Sequence, residues 1–135
     1  MITWFEKHSY LAWIVVIIIA IAIFYISTLT FPPSPTLVSW ESFVYHFFAF
    51  FFLAFFLSIA LVKGKKYRIV VLVILIAVLY GISDEIHQIF VPGRVCCIED
   101  VLTNSAGIFL ASLFYCSYCL KRKKQLLQSK NPSDN

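Results

Sequence analysis

The stretch on which the fold turns reads Ile69-Val70-Val71-Leu72-Val73-Ile74-Leu75-Ile76-Ala77-Val78-Leu79-Tyr80-Gly81-Ile82-Ser83-Asp84-Glu85-Ile86-His87-Gln88-Ile89-Phe90-Val91-Pro92-Gly93-Arg94. Its first fourteen residues, Ile69 to Ile82, carry no charge. At 1.5 Å per residue they fall short of a hydrocarbon core roughly 30 Å thick. A helix that continues through Ser83 to Phe90 closes the gap, and Ile86, Ile89 and Phe90 between the polar residues support that continuation. Pro92-Gly93 then stops the helix and turns the chain. This reading embeds Asp84, Glu85, His87 and Gln88 in the last turns of a transmembrane helix.

Working outward, Ile98 to Leu120 is a second segment of spanning length, with Glu99 and Asp100 in its first turn, where acids complement the helix dipole. The turn between the two segments makes them a hairpin. Upstream lie Phe43 to Val62, rich in phenylalanine with His46 as its only ionisable group, and Tyr10 to Leu29, twenty residues without a charge. Phe31-Pro32-Pro33-Ser34-Pro35 ends that first segment. It exceeds the 7–15 residues of a signal-peptide core, and no small-x-small cleavage site follows before Pro32, so it reads as retained. The prediction is an all-α membrane protein: a four-transmembrane-helix bundle in which spans three and four form a helix-turn-helix hairpin. Residues 1–120 make one membrane domain, and 121–135 a basic, disordered tail.

Composition agrees. Of 135 residues, 61% are apolar and 13% charged, against about 45–50% and 25% in soluble domains. A soluble chain this short cannot hide that much hydrocarbon. The formal charge of +4 is a topology signal. Lys7, Lys63, Lys65, Lys66, Arg68, Lys121, Arg122, Lys123, Lys124 and Lys130, ten of the eleven basic residues, fall on one side of four spans. The positive-inside rule predicts cytoplasmic N- and C-termini in the cell membrane, with attraction to anionic inner-leaflet lipids and no nucleic-acid partner.

Ionisable groups inside a membrane are costly, and each is by default a functional candidate. Asp84 shares a helix face with His87 and Gln88, Glu85 with Gln88, and Asp100 with Asn104. Gly107 and Ala111 continue the last face as a small-x-x-x-small step suited to close helix approach. Glu85 precedes the turn by about as many residues as Asn104 follows it, Arg94 sits at the turn, and His46 lies one turn into span two. All fall in one layer at the outward end. A structural clasp, with Glu85 or Asp100 paired to Arg94, is the competing account. The cysteines give no zinc site: Cys116 and Cys119 lack a second pair, and Cys96 and Cys97 are adjacent. The count of donors in His46, His87, Glu85 and Asp100 permits a metal, but no spacing among them matches a strong motif such as H-E-x-x-H, so no metal or cofactor is predicted.

Glu85-x-x-Gln88-x-Phe90-x-Pro92-Gly93-Arg94-x-x-x-x-x-Asp100-x-x-x-Asn104-x-x-Gly107 resembles the signature of the VanZ-like membrane protein family, and His46-Phe47 resembles its second marker. Phe43, Phe50 and Ala111 stand where relatives often carry a basic residue, a tyrosine and a glycine. The resemblance implies a bacterial envelope protein of the teicoplanin-resistance type. Its expected site comprises His46, Glu85, Gln88, Arg94, Asp100 and Asn104, with Asp84 and His87 secondary. The partners expected are membrane lipids and an envelope lipid or lipoglycopeptide, the latter held by the fork of Arg94 and the amides of Gln88 and Asn104. Two other classes stay open: an enzyme using Glu85 and Asp100 as acid and base beside Arg94, and a purely structural subunit.

Overall fold

The computed structural model describes residues 1–30, 40–64, 67–92, 94 and 97–130. The stops at Pro32, Pro33 and Pro35, Gly93, Cys96 and residues 131–135 lie outside these. A short helix α1 (Ile2–Lys7) leads into α2 (Ser9–Ser27), followed by α3 (Trp40–Val62), a 3₁₀ turn (Tyr67–Ile69), α4 (Val70–Ile89) and α5 (Ile98–Lys130). Helices α2 to α5 are each long and apolar enough to cross a membrane. The protein is an all-α four-span membrane bundle. Helix α4 runs unbroken through Asp84, Glu85, His87 and Gln88, and the chain leaves it at Phe90.

Around the bundle α2 packs on α3, α3 on α5, α5 on α4 and α4 back on α2, with α3 and α4 also touching across the centre. Helix α3 is the most enclosed: half of its apolar window is buried, against 17% for α2. Its phenylalanines divide accordingly. Phe50 and Phe55 are core residues, whereas Phe43, Phe48 and Phe52 face outward. Elsewhere the outer surface is hydrocarbon (Ile17, Ile21, Leu75, Leu79, Ile86, Leu113), and the interior holds His46, Asp84, Glu85, Gln88 and Asn104. This inversion suits a solvent of lipid chains, where polar groups must find partners within the protein.

The closest helix approach is α3 on α5. A Cβ added at Gly107 would stand 2.3 Å from the Phe47 carbonyl oxygen and 3.1 Å from the Phe51 nitrogen, so only hydrogen fits there. Ala111, one turn on, is fully buried. The small-residue step thus sets the spacing of the two helices that carry His46 and Asn104.

The other end of the bundle, where Lys7, Lys63, Arg68 and Lys121 to Lys124 gather, is locked by Glu6. Tyr115 Oη donates to Glu6 Oε1 (2.7 Å), and Arg122 Nη1 donates to Glu6 Oε2 (2.6 Å). The Gly64 amide donates in turn to Tyr115 Oη (3.0 Å). Gly64 holds a left-handed φ of +66°, which turns the chain out of α3. One expectation is corrected at this end: α5 continues to Lys130 where a disordered tail from residue 121 is predicted. Lysine, glutamine and leucine are good helix formers, and no breaker intervenes before Pro132, so a helix already nucleated in the membrane extends past it.

Candidate functional site

Three helices converge at the end opposite Glu6. His46 lies in the second turn of α3, Glu85 in the last turns of α4, and Asp100 and Asn104 in the first two turns of α5. The antiparallel course of α4 and α5 brings the end of one and the start of the other to the same level, and the Gly107 contact presses α5 against α3. His46, Glu85 and Asn104 are all but fully buried. The Asp100 side chain, 13% exposed, is the member that reaches the surface.

The imidazole of His46 occupies the centre. Its Nδ1 lies 3.0 Å from Asn104 Oδ1 and 4.0 Å from Glu85 Oε1, and its Nε2 lies 3.9 Å from Asp100 Oδ2. The first distance is a hydrogen bond; the other two are too long for one. Neither Glu85 oxygen makes a well-formed hydrogen bond, although the backbone amide of Cys97 lies against that carboxylate, and Asn104 Nδ2 and Asp84 Oδ1 have no partner among the described residues. A buried polar atom without a partner costs about 1–3 kcal/mol, and more when charged. Several such atoms in one cluster therefore need an explanation.

Gln88 and Asp84 extend the cluster towards α2. Gln88 Nε2 donates to Asp84 Oδ2 (3.1 Å) and reaches Ser27 Oγ (3.4 Å). Arg94, expected to swing over the acids, sends Nη2 to the Ile26 carbonyl of α2 (3.2 Å), tying the turn to the first span. Its charge is close enough to act on Glu85 and Asp100. His87 belongs elsewhere: it stacks on Phe24 with ring centroids 4.5 Å apart. The structure thus gathers His46, Glu85, Asp100 and Asn104, places Asp84 and Gln88 beside them, and turns His87 away.

A family model described as VanZ/LLP1 matches residues 5–121. The chain belongs to the VanZ/LLP1 family. No curated protein and no solved structure matches it. The matched region of this VanZ/LLP1 protein takes in every helix that contributes to the cluster, and the Glu6–Tyr115 lock at the other end.

Sequence reasoning missed several participants. Ser27 closes an otherwise apolar helix, and only its place at the helix end hints at its role. Tyr45 Oη is buried beside His46 without a partner, and Tyr80 Oη donates to the Ala20 carbonyl (2.7 Å), bracing α4 on α2. Neither tyrosine carries a signal in sequence that sets it apart from the aromatic residues around it. Glu6 had a readable signal: it is the acid that stands among the basic residues of its end.

Proposed function

We propose that this VanZ/LLP1 protein sits in the plasma membrane with both termini in the cytoplasm, and that its polar cluster holds the headgroup of an envelope lipid or lipoglycopeptide at the level of the outer leaflet. The observation that carries the reading is the set of buried atoms that make no well-formed hydrogen bond among the described residues: both Glu85 oxygens, Asp84 Oδ1 and Asn104 Nδ2. A clasp evolved for stability saturates its groups, as Glu6 is saturated at the other end. Unsaturated donors and acceptors, gathered behind the surface-reaching Asp100, are what a polar ligand satisfies. Arg94 at the rim would meet a phosphate or carboxylate, with Asn104 and Gln88 as neutral partners.

The test is mass spectrometry of lipids retained by gently extracted protein, wild type against Arg94→Ala and Asn104→Leu. A headgroup class enriched on the wild type and lost from both variants is expected. An unselective, variant-independent lipid profile would remove the reading. The enzyme reading keeps one specific support: two carboxyls flank one imidazole at 4.0 and 3.9 Å, a donor set suited to acid–base work. It requires turnover of the retained lipid, lost in Glu85→Gln.

A further inference from the structure

We propose that His46, Glu85 and Asp100 form a binding site for a divalent transition-metal ion, Zn²⁺ or Mn²⁺. One donor atom from each lies within 4.8 Å of the other two. Around an ion at about 2.1 Å from each ligand, donor atoms stand about 3–4 Å apart. With Nε2 as the His46 ligand, its 3.9 Å separation from Asp100 Oδ2 is at the upper end of that range, while Glu85 Oε1 approaches the other nitrogen, Nδ1, at 4.0 Å and must be brought round by side-chain rotation.

Three independent features favour an ion over a hydrogen-bonded network. The first is the length of the two contacts, which leaves no direct hydrogen bond between the imidazole and either acid. Next comes the orientation of His46. In the tautomer with Nδ1–H donating to Asn104 Oδ1 at 3.0 Å, the lone pair of a neutral His46 Nε2 faces the Asp100 carboxylate. Two electron-rich atoms turned towards each other call for a cation or a proton between them, and a hydrogen-bond acceptor fixing the far nitrogen is the usual support of a metal-binding histidine. The last is Glu85, 2% exposed, whose carboxylate lies beside the backbone amide of Cys97 but makes no well-formed hydrogen bond among the described residues. Buried carboxylates are ordinarily paired or bound to a metal.

The three donors come from α3, α4 and α5, which is why no local motif announces them. One imidazole and two carboxylates suit Mn²⁺ or Zn²⁺, whereas Mg²⁺ and Ca²⁺ favour all-oxygen sets. Three protein ligands also leave coordination positions open, facing the side from which Asp100 reaches the surface. The ion resolves a difficulty of charge. Asp84, Glu85 and Asp100 repel an anionic headgroup, and Arg94 alone does not outweigh them, but a bound divalent ion gives a phosphate a partner. In that consequence the inference rests on the headgroup reading; the ion site itself rests on the geometry alone.

The experiment separates the two. Protein in nanodiscs, stripped with EDTA, is titrated with Mn²⁺ followed by electron paramagnetic resonance, and with Zn²⁺ by competition with a chelating dye. One ion per chain is expected, weakened at least tenfold in His46→Gln, Glu85→Gln and Asp100→Asn and unchanged in His87→Gln. Melting in EDTA guards against misfolding: Glu85→Gln without metal should melt at or above the wild-type temperature, because it discards a buried charge. Absence of stoichiometric binding by folded wild type, or equal binding by all three variants, overturns the ion site. A final arm measures short-chain phosphatidic acid binding with and without the ion. Ion-dependent binding supports the link to the headgroup, and ion-independent binding overturns that link while leaving the site.

Discussion

Gly107→Ala isolates the contact that builds both the bundle and the site. In a free helix the change stabilises by about 1 kcal/mol, because alanine has the better propensity. Here the new Cβ would meet the Phe47 carbonyl oxygen at 2.3 Å, so α3 and α5 must separate by about 1 Å to reach the 3.4 Å of ordinary contact. The obstacle is backbone on both sides, and no rotamer change relieves it. Overpacking of this kind costs about 1–3 kcal/mol, and a clash with backbone belongs at the top of that range or beyond. The same displacement stretches the 3.0 Å bond between His46 and Asn104, which flank the contact on the two helices, past hydrogen-bond range. Losing it adds roughly 0.6 kcal/mol, the average for bonds between membrane helices. Clash and lost bond together exceed the propensity gain, and the net expectation is destabilisation by about 2–3 kcal/mol. Unfolding in mixed micelles of rising SDS fraction measures it, with Ala106→Ser, on the exposed face one residue earlier, as a control expected within ~0.5 kcal/mol of wild type. A Gly107→Ala protein as stable as wild type or more so would refute the close-approach argument.

Further outcomes follow from the opposite end and from the charge pattern. Tyr115→Phe removes the hydroxyl shared by Glu6 and the Gly64 amide, and should cost about 1–3 kcal/mol in the same SDS titration. Gly64→Ala must hold φ at +66° with a Cβ 2.9 Å from the ends of Arg122 and Glu6; a loss of about 1–2 kcal/mol is expected, and Gly64→Asn should recover part of it. Cytoplasmic termini predict that a membrane-impermeant maleimide, applied to cells with the outer face of the membrane accessible, labels protein whose cysteines are reduced to Cys97 and spares protein retaining only Cys116. The reverse pattern would invert the orientation.

The four spans, the hairpin and the level of the polar layer were legible because each follows from a one-dimensional quantity: the length of an apolar run, the place of Pro92-Gly93, the count of residues on either side of the turn. Gly107 and Ala111 were legible for the same reason, as a spacing along one helix. What the sequence hid depends on rotation about helix axes. His87 and Gln88 are neighbours in α4, yet Gln88 points into the cluster and His87 towards Phe24 on α2. The periodicity that pairs Asp84 with both cannot choose between them. Arg94 sits one residue past a turn whose direction no pattern encodes, and it reaches the Ile26 carbonyl of α2. The donors of the proposed ion site were legible only as a list, His46, Glu85 and Asp100 together with His87: they are separated in sequence by whole helices, and packing decides which of them meet.

The two ends of the bundle treat buried charge in opposite ways. Glu6 receives a hydroxyl and a guanidinium at 2.7 and 2.6 Å, so its carboxylate is saturated. Such a pair makes sense as structure, since removing one partner strands the other. At the far end Asp84, Glu85 and Asp100 share one layer with His46, and both Glu85 oxygens and one of Asp84 make no well-formed hydrogen bond among the described residues. Well-packed apolar side chains of the same volume would serve stability better there, as they commonly do when they replace buried ionic groups. The same sequence builds a saturated lock at one end, so the unsaturated cluster does not reflect any inability of the fold to supply partners. Local departures from the rules that favour folding concentrate where a protein works. On the proposed reading the cluster is completed by a ligand, and the donor set, two carboxylates about an imidazole held by an amide, favours a cation as the first addition.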